Sequence, residues 1–304
     1  MPSKKRGAKR VNPLASAPKI SAEATSSKRA SIAKPLSEEE MRAVAKELRR
    51  HIITMTATAG SGHPGGSLSS VEIVTALFFN VLRHDPKDPR WPERDRFVLS
   101  KGHGAPVLYS ALAETGYFPV EELLELRKLN SRMQGHTDMA TTPGVEMTAG
   151  ALGQGLSFGI GIALAARLDG RDYRVYVLLG DGECDEGQVW EAAMAAAHYN
   201  VDNLVAIVDR NRQQIDGWTY EVMDTEPMAE KWRSFGWHVI EVDGHDLGQI
   251  LAAFNKAKRM KGKPTAIIAH TIKGKGVSFM ENNPDFHGKA PTPEEAEKAL
   301  KELE

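Results

Sequence analysis

Apolar residues recur at helical spacing near the start of the chain, with Met41, Val44, Leu48, Ile52 and Met55 on one face. Ser37 precedes them and Glu40 follows it by three, the spacing of a capping box, which predicts a helix running from there through Thr58. A glycine-rich break from Gly60 to Gly66 stops it, and a second apolar helix is expected from about Ser69 to Leu82. A short strand follows over Arg96 to Ser100, then helical patterns over 105–115 and 120–130. Another glycine-rich stretch, Gly150 to Gly155, leads into a helix of small residues through Leu168.

The second half alternates. Buried-strand patterns at Tyr173–Leu179, Leu204–Val208, Trp237–Val242 and Thr265–Ala269 are separated by helical patterns at Gln188–Tyr199, near 226–235 and near 246–260. A short charged helical pattern, Pro293 to Glu304, closes the chain. Strands alternating with helices at this spacing predict an α/β fold, a parallel sheet with helices on both faces.

Composition narrows the class without changing that picture. The 304 residues are 41% hydrophobic, and no apolar run approaches the roughly 18 residues that a spanning helix requires, so no membrane association is expected. A single cysteine, Cys184, excludes an internal disulfide, and the reading is cytoplasmic. Charge is distributed unevenly. Residues 1–36 hold nine Lys/Arg against one acid, whereas the rest carries 30 basic and 39 acidic side chains. This leader is rich in Ser, Ala and Pro and has no aromatics, so it is expected to be a disordered basic arm ahead of one domain at 37–304. An RNA or membrane-surface contact, or an organelle address, competes there with the plainer reading of a solvated extension, and nucleic acid is the disfavoured partner.

Candidate chemistry follows from the sheet. Ligands of such sheets bind beyond the carboxyl ends of the strands, where this chain places Lys101-Gly-His103, Gly180-Asp181-Gly182, Asp209-Arg-Asn211 and His270 through Gly276. Asp181 and Asn211 each follow a hydrophobic strand, so both project over one edge. Glycines beside Asp181 let backbone approach a phosphate, and a helix begins soon after. A carboxylate, an amide oxygen and a backbone carbonyl suit Mg²⁺, with diphosphate oxygens completing the octahedron.

At these residues the sequence resembles the diphosphate-binding, amino-terminal part of transketolase. The thiamine-diphosphate signature of that family opens with Gly-Asp-Gly and ends in an Asn about 30 residues on; here Asn211 lies 30 residues after Asp181. Ser61-Gly-His-Pro64, Leu99-Ser-Lys-Gly-His103, Gly135-His136, Gly150-Ala-Leu-Gly-Gln-Gly155, Glu186-Gly187 and Phe286-His-Gly288 extend the resemblance in family order, from about residue 38 to 290. It implies that Asp181, Asn211 and the carbonyl of Gln213 hold Mg²⁺ (Ca²⁺ being an alternative), with Gly182 and Asn211 against the diphosphate of thiamine diphosphate and Lys273 near it. Gly150, Ala151, Leu152 and Ile215 would wall the cofactor, and Glu186 would meet an acid of a partner domain. His63 and His287 would transfer protons to sugar oxygens, His103 would serve cofactor and donor, and His136 would bind the donor's terminal hydroxyl. His51, His84, His198, His238 and His245 match no family block and are read as structural, and Cys184 is given no catalytic role.

Family enzymes joined in one chain are about twice this length and continue into a pyrimidine-binding domain, which carries the Glu that protonates the cofactor's aminopyrimidine ring. The resemblance therefore implies one half of a split transketolase, an α2β2 assembly with a separate pyrimidine-domain subunit, moving a two-carbon ketol unit between sugar phosphates. Alternatives are another thiamine-diphosphate enzyme, similar to 1-deoxyxylulose-phosphate synthase or a 2-oxo-acid dehydrogenase, and a noncatalytic module with a nucleic-acid-binding arm.

Overall fold

The computed structural model describes residues 35–304 except Asp216. The expectation for the basic leader falls almost wholly outside these residues; its last position, Leu36, exchanges two hydrogen bonds with the Asn80 amide, at 2.8 and 2.9 Å. Helix α1 (Glu38–Ala59) opens on the predicted capping box, Ser37 and Glu40 bonding reciprocally, and ends at Gly60 in the left-handed conformation, φ 59°.

Five parallel strands form the sheet: β1 (Arg96–Leu99), β2 (Val175–Gly180), β3 (Leu204–Arg210), β6 (His238–Asp243) and β7 (Thr265–His270), in spatial order β1-β2-β3-β7-β6. Side chains alternate between two cores along each strand. Tyr176, Leu178, Val205, Ile207 and Ile267 face one, while Val175, Val177, Leu204, Ala206 and Ile268 face the other. The second core is closed by α5 (Gln154–Leu168), α6 (Gly187–His198) and α8 (Met228–Ser234). The first is closed by α1, α3 (Val71–Ala76), α4 (Ala105–Glu114), α9 (Leu247–Arg259) and α10 (Pro293–Glu302). Crossovers advancing from β1 to β6 lay α5, α6 and α8 on one face, and the return from β6 to β7 puts α9 on the other, as right-handed connections require, where it joins α4 from the first crossover. The parallel sheet covered on both faces is thus as expected.

Three expectations need correction. The pattern at 120–130 is a 3₁₀ turn, Val120–Glu125, and the chain leaves helical geometry because Arg127 and Asn130 take positive φ, 61° and 64°. The helix read from Ser69 to Leu82 is α3 followed by a π-turn, Leu77–Val81. Before it, a short helix α2 (Pro64–Leu68) starts inside the glycine-rich break, because Pro64 at its first position has φ already fixed for a helix. The pattern also concealed a polar hairpin, β4 (Gln213–Gln214) with β5 (Gly217–Trp218), and a one-turn helix α7 (Thr219–Val222).

Close approach explains one glycine. A Cβ on Gly155, in the first turn of α5, would lie 2.4 Å from Ser100 Cβ and 2.8 Å from its Cα, at the end of β1. Gly155→Ala is therefore expected to destabilise the fold by about 1–3 kcal/mol through overpacking, read as a lower denaturation midpoint with an unchanged slope.

Candidate active site

The register of β2 against β3 pairs Gly180 with Asp209, so the residues just beyond each strand end emerge side by side. Around them a cavity of about 240 Å³ opens at the carboxyl edge of the sheet. Twelve of the fourteen residues singled out from sequence line it: His63, His103, His136, His287, Gly150, Leu152, Asp181, Gly182, Asn211, Gln213, Ile215 and Lys273. Ala151 and Glu186 do not; both are exposed, Ala151 on the glycine-rich turn and Glu186 at the start of α6, beside Gly153.

Asp181 is 1% exposed, and its carboxylate accepts hydrogen bonds from the backbone N–H of Gly182, at 2.9 Å, and of Arg212. Burial and the neighbouring Asp209 push its carboxyl up to about 7 despite those donors. The Gly182 amide is thus engaged by Asp181 itself, and the chain passes through a 3₁₀ turn, Gly182–Asp185, before α6 opens at Gly187. Asn211 donates to Asp209 Oδ2 at 3.1 Å, which orients its amide, and its Oδ1 accepts from the Gln213 N–H at 3.0 Å. Gln213 donates through Nε2 to the Asn282 carbonyl, while its buried Oε1 has no donor.

Four imidazoles gather over this floor. The His63 ring lies 5.5 Å from His103, 5.8 Å from His136 and 5.5 Å from His287, and His103 lies 5.1 Å from His287, centroid to centroid. His63 holds the position before Pro64 and caps α2, His103 sits in the turn after β1, and His287 ends a 3₁₀ turn, Pro284–His287. Burial lowers each of them, and nearby cations add to it. His63 falls to about 4, helped by Arg127, and His287 to about 3, helped by Lys273. His103 lies well below its ordinary value through burial and then Lys101, and His136 is lowered by burial and Arg127. The cluster is neutral at physiological pH. Lys273 is buried with them, lowered by burial to about 8, and its Nζ donates to His287 Nδ1 at 2.9 Å. That bond leaves the proton of the neutral His287 ring on Nε2.

Sequence reasoning assigned no role to three charged groups that hold the site, although two of them, Lys101 and Asp209, fall in the strand-end stretches it named. Lys101 Nζ, buried, donates to the Gly66 carbonyl at 2.6 Å and to Asp209 Oδ2 at 2.5 Å. Burial alone would raise the Asp209 carboxyl, but Lys101 with Ser69 and Thr271 holds it below its ordinary value. The pair binds α2, β1, β3 and the segment after β7 into one unit, and breaking one partner of such a pair is costly. Glu183, also buried, accepts from the N–H of Gly153 and Gly180, both at 2.9 Å, and from the Ser100 hydroxyl. It fixes the glycine-rich turn against the Asp181 loop. The available signal was a charge at the end of an apolar strand pattern, Lys101 just past β1 and Asp209 near the end of β3, and an acid two residues after Asp181.

Comparison with known proteins agrees with this geometry. The family description "Transketolase, thiamine diphosphate binding domain" matches residues 40–303. The chain is 48% identical over 260 residues to 6-deoxy-6-sulfo-D-fructose transketolase subunit SqwG of Clostridium sp. (strain MSTE9), covering 86% of this chain and 94% of that one. It is 45% identical over 269 residues to one subunit of the apulose-4-phosphate transketolase of Actinobacillus succinogenes, covering 88% and 97%. The crystal structure of Pichia stipitis transketolase in complex with sedoheptulose-7-phosphate superposes with a TM-score of 0.83 at 37% identity, over 88% of this chain but 41% of the longer enzyme. Sequence blocks, sheet topology and cavity residues converge, and the chain belongs to the transketolase family, as its thiamine diphosphate-binding domain.

Proposed function

We propose that residues 37–304 form the diphosphate-binding subunit of a two-chain transketolase, transferring a two-carbon ketol unit from a ketose phosphate to an aldose phosphate. The observation that carries this reading is the meeting of Asp181 and Asn211 on adjacent strand ends beneath four neutral imidazoles. Two relatives of nearly the same length are named as transketolase subunits, which supports a second chain carrying the pyrimidine-binding domain. An α2β2 assembly in the cytoplasm follows from the same reading; among the described residues no helix is long and apolar enough to cross a membrane.

The donor set fits a diphosphate bridged by a divalent cation. A buried carboxylate pushed up to about 7 is one that a cation would stabilise, and a buried ammonium lowered to about 8 is one that an anion would stabilise. Asp181, Asn211 Oδ1 and the Gln213 carbonyl would hold Mg²⁺, with Ca²⁺ as the substitute hard cation, and Lys273 would face the diphosphate with Gly182. Among the described residues no three His, Cys, Asp or Glu side chains could hold a metal by themselves, so the cation relies on amide, carbonyl and diphosphate oxygens. Gly150, Leu152 and Ile215 would form the apolar walls, with Ala151 outside the cavity on the same turn, and Glu186, exposed at α6, would face the partner subunit.

When bound, thiamine diphosphate supplies the carbon nucleophile and the electron sink for carbon–carbon cleavage. The chain's own contribution is to orient hydroxyls and move protons. His287 presents Nε2–H as a donor, because its Nδ1 is occupied by Lys273. His63, His103 and His136 surround the same space as neutral groups able to accept a proton from a sugar hydroxyl and return it.

The test pairs the purified chain with a pyrimidine-domain chain and follows transfer from a ketose phosphate to an aldose phosphate, with pyruvate as the competing donor. Ketol transfer that appears only in the mixture, without pyruvate turnover, is expected. Full-rate transfer by this chain alone, or preference for pyruvate, would overturn the proposal.

A further inference from the structure

Lys273 reaches the site from the segment after β7, and the backbone on both sides of it is held by two side chains, His245 and Arg49, that share a single carboxylate outside the cavity. Glu72, on α3, has 11% of its side chain exposed. Its Oε2 lies 3.0 Å from His245 Nδ1, and its Oε1 accepts from Arg49 Nη2 at 2.7 Å. His245 Nε2 in turn accepts the Ile272 N–H at 2.8 Å, and Arg49 Nε donates to the Lys275 carbonyl at 2.9 Å. One imidazole nitrogen accepts a backbone N–H, so the other carries the proton and donates it to Glu72; the carboxylate fixes the tautomer. The segment also needs left-handed turns at Gly274 and Gly276, φ 79° and 96°, and a Cβ on Gly276 would lie 2.7 Å from Arg49 Nε. The loop is therefore moulded onto Arg49.

We infer that Glu72, through His245 on one side and Arg49 on the other, is a positioning relay for Lys273, setting where its ammonium meets the diphosphate and the His287 ring. This rests on the function proposed above. None of the three residues lines the cavity that holds Lys273, so none touches substrate or cofactor. Their role is to hold the N–H before Lys273 and the carbonyl two residues after it. A separate cavity of about 400 Å³ borders Arg49, Glu72, His245 and Lys275, so a shortened side chain at 245 leaves its neighbours next to open space.

Two measurements test the relay. The first is a double-mutant cycle on the complex with the pyrimidine-domain chain, titrating thiamine diphosphate with Mg²⁺ by calorimetry. Lys273→Met and His245→Ala are each expected to weaken binding, by about tenfold or more for the first and about fivefold for the second. The double variant should be no more than about twofold weaker than Lys273→Met alone, because the two act as one unit. His245→Gln, whose amide oxygen can accept the Ile272 N–H, should recover most of the loss. Additive losses, or an alanine variant that binds like wild type, would overturn the inference. The second measurement is hydrogen exchange on the ligand-free full chain. His245→Ala should speed exchange of the amides at 272–276 by about tenfold while the sheet strands stay protected. A uniform rise would mark a merely structural residue, and no local change would overturn the relay. If the wild-type complex binds no cofactor, the functional reading has failed, and exchange still decides the relay.

Discussion

Asp181→Asn is expected to move ligand-free stability and cofactor uptake in opposite directions. In the folded chain the Asp181 carboxyl sits at about 7, above its ordinary 3.8, because it is buried and faces Asp209. A raised carboxyl favours the fold in its protonated form. The contribution is complete below pH 4 and is lost as the pH climbs through 7. The span from 3.8 to about 7 sets an upper bound of ~4 kcal/mol on what the ligand-free protein loses by pH 8. Asparagine stays neutral throughout. It also gives up one of the two backbone bonds that Asp181 accepts, from Gly182 and Arg212, so a constant penalty applies at every pH. Denaturant titrations in chelator should therefore show the variant gaining on wild type between pH 5 and pH 8. Uptake goes the other way. Residues that merely support a metal ligand typically cost about 10–100-fold in affinity, so removing a charged ligand should weaken Mg²⁺-dependent uptake of thiamine diphosphate by about a hundredfold or more. Unchanged uptake would show that Asp181 is not a ligand, and a pH-independent stability difference would show that its burial costs nothing.

The same residues show what could be read in advance. Asp181 and Asn211 lie 30 positions apart, yet two uninterrupted apolar runs, each followed by polar residues, already placed both at one sheet edge. The structure adds only that β2 and β3 are neighbours in register. The histidines were legible only through their sequence blocks, since nothing in the spacing of His63, His103, His136 and His287 brings their rings together. Local pattern failed where the conformation depends on contacts made elsewhere. Apolar positions at 120, 123 and 124 suit a helix, and no residue type announces that Arg127 will turn left-handed while its guanidinium reaches Ser61 and His63. The hairpin at 213–218 has two-residue strands with polar glutamines, too short for any period to show. His245 matches no family block and reads as structural, and its partners, Glu72 and Ile272, belong to separate elements; the link spans 173 residues in one direction and 27 in the other.

Alanine in place of His287 is expected to lower kcat/KM by about 10²–10⁴, the range of a positioned proton donor or acceptor, with the loss mainly in kcat when cofactor is saturating. The direction follows from charge. Burial and Lys273 put His287 at about 3, and burial with Arg127 puts His63 at about 4, so neither ring is an imidazolium at neutral pH. In the ligand-free chain the ring resonances of both should stay flat from pH 5.5 to 8.5; a midpoint inside that window would mean that solvent reaches the cluster. Neutral rings suit a reaction in which a hydroxyl proton is taken up and later returned, because no charge has to be discharged first. Lys273 occupies Nδ1 of His287, so only Nε2–H remains to meet a sugar oxygen, and Lys273→Met should free the tautomer and soften the His287 requirement. The His63 ring is 5.5 Å from His287. If both serve one proton path, the double alanine variant should lose no more than about tenfold beyond the worse single variant, since groups acting as a unit are non-additive. A kcat within about tenfold of wild type for His287→Ala would remove His287 from the proton path. Fully multiplied losses in the double variant would assign the two rings to separate steps.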